Sequence, residues 1–493
     1  MTYESHSQSR LHHLWQGAGL VLILSASLGM AGCSNSSPPS ETSIAQQAYL
    51  KASNTGADDQ FGSAVAIDGD TLVVGAPEED SATSGINGNQ SDNSGDGTGA
   101  VYVFVRSGGI WTQQAYLKAS NPNNLDLFGT SVAINGNTIV VGAPFEDSNA
   151  TGINGNQSDN SINGNGAAYV FVRSGTTWTQ QAYLKPSTAG FNNFGTSVAI
   201  DGDTIAIGAD GEDSASTGIN GSESGTGAPS SGAVYVFTRS GTTWSQQAYI
   251  KSSNSESSDQ FGHSVTLSSD TLAVGANGED SAATGIDGNQ GDNSASASGA
   301  VYVFTRSGST WTQQAYIKAS NTASGAGFGQ RVSLDGNTLA VGAPGMNTSY
   351  VFARSTGSWT QEALLQGANT EAGDSFGTSL AVHGDTLAVG ASGEDSSATG
   401  INGDQSNNSA SNSGALYVFT RSGTTWTQRD YVKASNADVG VGPIAGDSFG
   451  SAVAVNSGTI VSGSIGEDSN ATGVGGSQTD NSTQDSGAVY VFQ

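Results

Sequence analysis

FGSAVAIDGDTLVVGAPEEDSATSGINGNQSDNSGDGTGAVYVFVRSGGIWTQQA, residues 61–115, decides the fold, because its skeleton returns until the chain ends. The Phe-Gly pair recurs at Phe61, Phe128, Phe194, Phe261, Phe328, Phe376 and Phe449, with spacings of 67, 66, 67, 67, 48 and 73 residues. A period that long marks a multi-strand unit repeated along the chain. Within the unit, SAVAI and TLVVGA flank Asp68-Gly69-Asp70. An Asp-Gly pair between β-branched runs predicts a hairpin, because the tight turn needs positive φ. Asn135-Gly136, Asp201-Gly202, Asp335-Gly336 and His383-Gly384 hold the same place. A long polar loop follows, and AVYVFVR, a Ser-Gly turn and WTQQAYLK then predict a third and a fourth strand.

The strand count separates a ring from an open stack. Trp-bearing fourth strands occur at Trp111, Trp178, Trp244, Trp311, Trp359 and Trp426, whereas the seventh unit stops at Tyr490-Val491-Phe492-Gln493. The missing strand stands at the other end, as Gln46-Gln47-Ala48-Tyr49-Leu50-Lys51 before the first Phe-Gly pair. In a ring that strand completes the last blade and leaves no open edge. A solenoid would instead want polar capping repeats, which the sequence lacks. The expected fold is all-β: a seven-bladed β-propeller with four antiparallel strands per blade over residues 45–493.

The Phe-Gly pair followed by Gly75-Ala76-Pro77, Gly142-Ala143-Pro144 and Gly342-Ala343-Pro344 resembles the FG-GAP repeat of integrin α-chain propellers and of bacterial surface proteins. The tripeptide drifts to Gly208-Ala209-Asp210, Gly275-Ala276-Asn277, Gly390-Ala391-Ser392 and Gly463-Ser464-Ile465. The resemblance implies a seven-bladed propeller, in agreement with the count of strands. Many integrin blades carry a D-x-D-x-D-G calcium loop between the first two strands. Tight turns such as Asp68-Gly69 and Asn135-Gly136 stand there in this chain, so that site is not carried over.

Residues 1–33 have a polar start with Arg10, His12 and His13, an apolar run from Gly17 through Ala31, and Cys33. The run is short for a membrane span and fits a secretory signal. Met30-Ala31-Gly32-Cys33 resembles the lipobox of bacterial lipoproteins, which implies lipidation of Cys33; an ordinary signal peptide is the alternative. Cys33 is the single cysteine, so no intrachain disulfide can form. Ser- and Pro-rich residues 34–44 read as a flexible tether.

The formal net charge is −28, from 15 Lys and Arg against 43 Asp and Glu, which disfavours nucleic acid as a partner. All six lysines end fourth strands, and Arg106, Arg173, Arg239, Arg306, Arg354 and Arg421 sit in the turns between third and fourth strands. The loops between second and third strands hold neither, so the ring is expected to be electrically two-sided. Six of these loops repeat Glu-Asp-Ser and a Thr-Gly-Ile-Asn-Gly-Asn-Gln pattern with variations, while the fifth unit has only Gly345-Met346-Asn347-Thr348-Ser349. Loops this long are often functional.

Calcium takes 6–8 oxygen ligands from flexible loops, and the acidic loops offer them. The candidate metal ligands are Glu79, Asp80, Asn87, Asn89 and Asp92; Glu146, Asp147, Asn154, Asn156 and Asp159; and Glu279, Asp280, Asp287, Asn289 and Asp292. Asp59, Asp126, Asp259, Asp374 and Asp447 are expected to reach the same face from the inter-blade loops. The alternative is that these Asx residues only form turns, bonding their own backbone; the spacing does not fit an EF-hand.

No catalytic constellation is visible. His263 and His383 sit singly at different strand phases, and no thiol remains for nucleophilic work. The expected function is a lipid-anchored propeller of the bacterial envelope, monomeric, that binds or adheres to a protein or glycan, with calcium as its one candidate cofactor. It touches the membrane through its anchor alone. A secreted hydrolase and a purely structural envelope protein are the alternatives.

Overall fold

A computed structural model describes residues 44–438, 444 and 446–493. The expected signal segment, Cys33 and almost all of the tether lie outside them. The first strands are β1 (Gln46–Leu50), β2 (Ala64–Asp68), β3 (Thr71–Ala76), β4 (Ala100–Ser107) and β5 (Ile110–Leu117). β2 to β5 form one antiparallel four-stranded sheet, and five further sheets repeat that order along the chain. The seventh sheet runs Phe449–Asn456, Thr459–Ser464, Ala488–Phe492 and then β1. The fold is thus the seven-bladed propeller expected, closed by its N-terminal strand. Tyr49 lies opposite Tyr490 and Leu50 opposite Val489. Ala45 and Gln493 exchange backbone hydrogen bonds of 2.9 and 3.0 Å.

The sequence forms these strands for reasons that differ along each blade. β3 is buried along its whole length because neighbouring blades cover both its faces, which explains an unbroken apolar run in place of an alternating one. Core clusters lie between blades: one joins Leu50, Val489 and Val491 of blade 7 to Phe61, Leu72, Tyr102 and Trp111 of blade 1. Phe128 is wholly buried and meets the ring edges of Tyr169 and Phe171 at 5.3 and 6.1 Å, an arrangement repeated by the Phe of every blade. Such edge-to-face pairs add to the burial of the rings themselves.

The two glycines of the repeat answer one steric need. Gly129, at φ +103°, has room for no side chain, since a Cβ would sit 2.6 Å from the Ala100 carbonyl oxygen. A Cβ on Gly75 would lie 2.1 Å from the Gly129 carbonyl oxygen. The Phe-Gly glycine of one blade therefore presses on the Gly-Ala-Pro glycine of the blade before it, and blades carrying Cβ atoms there could not close up. Gly463 makes the same approach to Gly62 across the seam, at 2.1 Å.

On the opposite face, Arg106 stacks on Trp111 at 5.1 Å and its Nε donates to Asp70 at 2.7 Å. Its Nη1 reaches Thr459 of the preceding blade at 3.2 Å. In blade 2 the Trp178 indole also donates to Gln114 of blade 1, at 2.9 Å. At the seam the buried Trp111 indole N–H has no such acceptor.

Candidate functional site: loop face and axis

Second strands end, and inter-blade connections run, on one face of the ring. The Glu of each long loop does not point to solvent there. Glu79 accepts from Lys118 Nζ at 2.8 Å on Oε2, and from Tyr116 and Asn54 at 2.8 Å each on Oε1. Lys118 also donates to Thr98 at 2.7 Å, and both charged side chains are essentially inaccessible. The same pair recurs as Lys185–Glu146, Lys251–Glu212, Lys318–Glu279, Lys433–Glu394 and Lys51–Glu467. All six lysines are consumed in this way, so the charge that reaches solvent on this face is that of the remaining acids. Desolvation holds the Lys118 pKa below its ordinary value, with Glu79 opposing the shift.

The other expected ligands bond mainly to backbone. Asp80 Oδ1 accepts from Gly97 N at 2.9 Å, and Asp147 and Asp280 do the same for Gly164 and Ala297, at 2.9 and 2.7 Å. Asn87, Asn154 and Asp287, all with positive φ, accept from the backbone N–H of Tyr116, Tyr183 and Tyr316 at 3.0, 2.9 and 2.9 Å. Asn89, Asn156 and Asn289 cap the N–H two residues on, as do Asp92, Asp159 and Asp292. Among the described residues no three His, Cys, Asp or Glu side chains are arranged to hold a metal ion.

The inter-blade aspartates do reach this face. Asp126 is fully buried, accepts from Asn123 N at 2.9 Å through one oxygen, and leaves Oδ1 without a partner. Desolvation, with Glu146 and Asp147 adding to it, raises its pKa to about 8. Asp59 and Asp259 are raised to about 7, Asp374 to about 6 and Asp447 to about 9, burial being the largest cause in each.

Blades 2 and 3 depart from their sisters at one place. Leu125 and Phe191 stand three residues before their Phe-Gly pairs, where other units carry Asp58, Ser258 or Gly. They are 56% and 53% exposed, and Phe145, in the slot of Glu78, is 40% exposed. With Leu127 they line an open hollow of about 420 Å³. Leu125 and Leu127 hold φ of 63° and 54°, a conformation unusual for a bulky residue.

At the centre, first strands surround an axial cavity of about 220 Å³. Ser131, Ser197, Ser264 and Ser379 line it, each donating its hydroxyl to the Phe-Gly glycine carbonyl of the next blade at 2.6–2.8 Å. Arg331 takes their place in blade 5. His263, expected to stand alone, is held between Asp210 and Gln330 at 3.0 Å each.

A closed ring of seven four-stranded blades, each wedged on the next through paired glycines, defines a repeat-built β-propeller. The FG-GAP repeat family matches residues 44–104, 111–171, 178–237, 244–304, 311–353 and 359–419, and the chain belongs to that family. A search of curated proteins finds no match. Similar solved structures include a candidate 6-phosphogluconolactonase from Bacteroides uniformis, at 12% identity and TM-score 0.43 over 76% of this chain and 85% of that one. Another is the periplasmic gluconolactonase PpgL of Pseudomonas aeruginosa, at 14% identity and TM-score 0.42 over 75% and 85%. Likenesses this distant carry no argument about activity.

Sequence reasoning missed the lysine–glutamate pairs, although it held their signal: the fifth unit, which lacks the long loop, ends its fourth strand in Leu364-Leu365-Gln366 and so lacks the lysine as well. It also passed over Arg331, the arginine that stands in a first strand.

Proposed function

We propose that the protein is a binding module of the bacterial envelope whose contact surface is the loop face, anchored on the hollow of Leu125, Leu127, Phe145 and Phe191. The observation that supports this is the exposure of large apolar side chains where sister blades carry polar residues or glycine. Clustered apolar exposure with a polar rim is the usual mark of a contact site. Leu125 and Leu127 also occupy left-handed backbone, which bulky residues rarely adopt. The partner this surface fits is a protein or glycan presenting an apolar or ring face, and a lipidated Cys33 would hold the propeller at the membrane surface.

The test compares wild type with Leu125→Asp/Phe191→Ser, two residues that sister units place there. Both proteins should melt alike, and partners recovered from envelope fractions by the wild type should be lost, roughly tenfold or more, from the variant. Equal recovery by both, or turnover of lactone, ester or glycan substrates by the wild type, would overturn the reading.

A further inference from the structure

Arg331 is the cation that the fold leaves over. The six lysines are paired with glutamates. Arg106, Arg239, Arg306, Arg421 and Arg429 meet carboxylates, and Arg173 and Arg354 are held by Asn137 and Asn337. Among the described residues, Arg331 alone of the lysines and arginines has no side-chain hydrogen bond or ion pair. It lines the axial cavity and stays open to it. Desolvation beside the axis, with no compensating charge, lowers its pKa. Ser451, which lines the same cavity, has a buried hydroxyl with no partner.

The position is also the wrong one for a structural arginine. Four sister blades place a serine there that closes the gap to the next blade, and blades 1 and 7 manage with Ala64 and Ala452. An arginine adds nothing to that contact, and it brings a desolvated charge into the centre of a ring. A guanidinium presents a rigid fork of donors matched to the two oxygens of a carboxylate or phosphate. A cavity of about 220 Å³ is smaller than the roughly 300–1,000 Å³ of sites for drug-sized ligands.

We propose that the axis of the ring binds a small oxyanion, a phosphate, sulfate or carboxylate group, gripped by the guanidinium fork of Arg331 with the Ser451 hydroxyl as a second donor. This site is separate from the apolar hollow and does not depend on its role. A protein of net charge −28 repels anions in general, so binding here is a local effect that added salt should weaken.

The experiment melts the full chain in low-salt chloride, then with millimolar inorganic phosphate, sulfate or citrate at matched ionic strength. At least one of them should raise the wild-type melting temperature by about 1 °C or more through mass action. A response to phosphate and sulfate assigns a tetrahedral ligand, and a response to citrate a carboxylate. Arg331→Ser should melt no lower than wild type in chloride and should show no response to any of the three. Arg331→Gln, which keeps the length without the charge, serves if the serine variant does not fold. The proposal is overturned if no oxyanion shifts the wild type, or if the folded variant shifts by the same amount.

Discussion

The six lysine–glutamate pairs are the residue-level device that fixes each long loop to its blade, and in five of them an asparagine also ties the glutamate to the linker before it. Glu79 joins Lys118 and Tyr116 of its own blade to Asn54 of the preceding connection. Removing one partner of a buried pair leaves an uncompensated charge and costs about 3–5 kcal/mol, whereas replacing both by apolar groups is often close to neutral. Lys118→Met is therefore expected to lower stability by about that amount in urea melts. The double variant Lys118→Met/Glu79→Leu should recover most of it, and a double variant as unstable as the single one would refute the staple. Blade 5 is the natural precedent, because lysine, tyrosine and long loop are absent from it together. That coupling was legible in the sequence as a shared gap. Its geometry was not, because lysines at strand ends read as solvated charges until burial is known.

The inter-blade connections carry the pH response at the scale of an element. Asp59, Asp126, Asp259, Asp374 and Asp447 all hold their protons more tightly folded than unfolded. Each contributes stability that is fully present below the unfolded carboxyl pKa, near 4, and is lost as pH rises through the folded value, between about 6 and about 9. The melting temperature should consequently fall from pH 5 to pH 9. Asp126→Asn keeps an acceptor for Asn123 N–H but cannot ionise beside Glu146 and Asp147, so it should flatten that slope and melt above wild type at pH 9. An unchanged slope would show that the group is not titrating there. The same melts with calcium, magnesium or chelator separate ion binding from turn formation. With loop oxygens turned to backbone N–H groups and Glu79, Glu146 and Glu279 turned to lysines, we expect all three to coincide. A rise specific to calcium would support the ion-binding reading of these loops. The turn-forming Asx residues were readable from Asn-Gly and Asp-Gly pairs, but which way a carboxylate points depends on neighbours that meet it only in the folded ring.

Closure governs the molecule as a whole. Deleting residues 45–52 removes β1, the Lys51–Glu467 pair and the backbone exchange between Ala45 and Gln493. The exposed edge of blade 7 would be unsatisfied and adhesive. The truncated protein should lose several degrees in melting temperature and self-associate in sedimentation, while deletion of residues 34–43 should do neither. A truncated ring that stays monomeric and melts unchanged would remove β1 from its assigned role. The architecture was almost wholly legible beforehand: recurrent glycines mark the places where blades touch, and a surplus strand at one end answers a deficit at the other. The apolar hollow and the axial arginine were not, because each is a single departure from the repeat, and its meaning lies in which neighbours the ring brings around it.

The backbone exchange between Ala45 and Gln493 makes the seam a matter of bookkeeping by the chain, since the ring itself has no privileged starting blade. A short linker across those two residues, with new ends cut in the exposed Gly108-Gly109 hairpin tip, would move the clasp one blade on without altering a contact. The natural order has a temporal consequence. β1 precedes the other described strands and has no partner until Ala488–Phe492 has been made, so the closing event must wait for the seventh blade. A ring that can lock only once its seventh blade exists remains threadable until then.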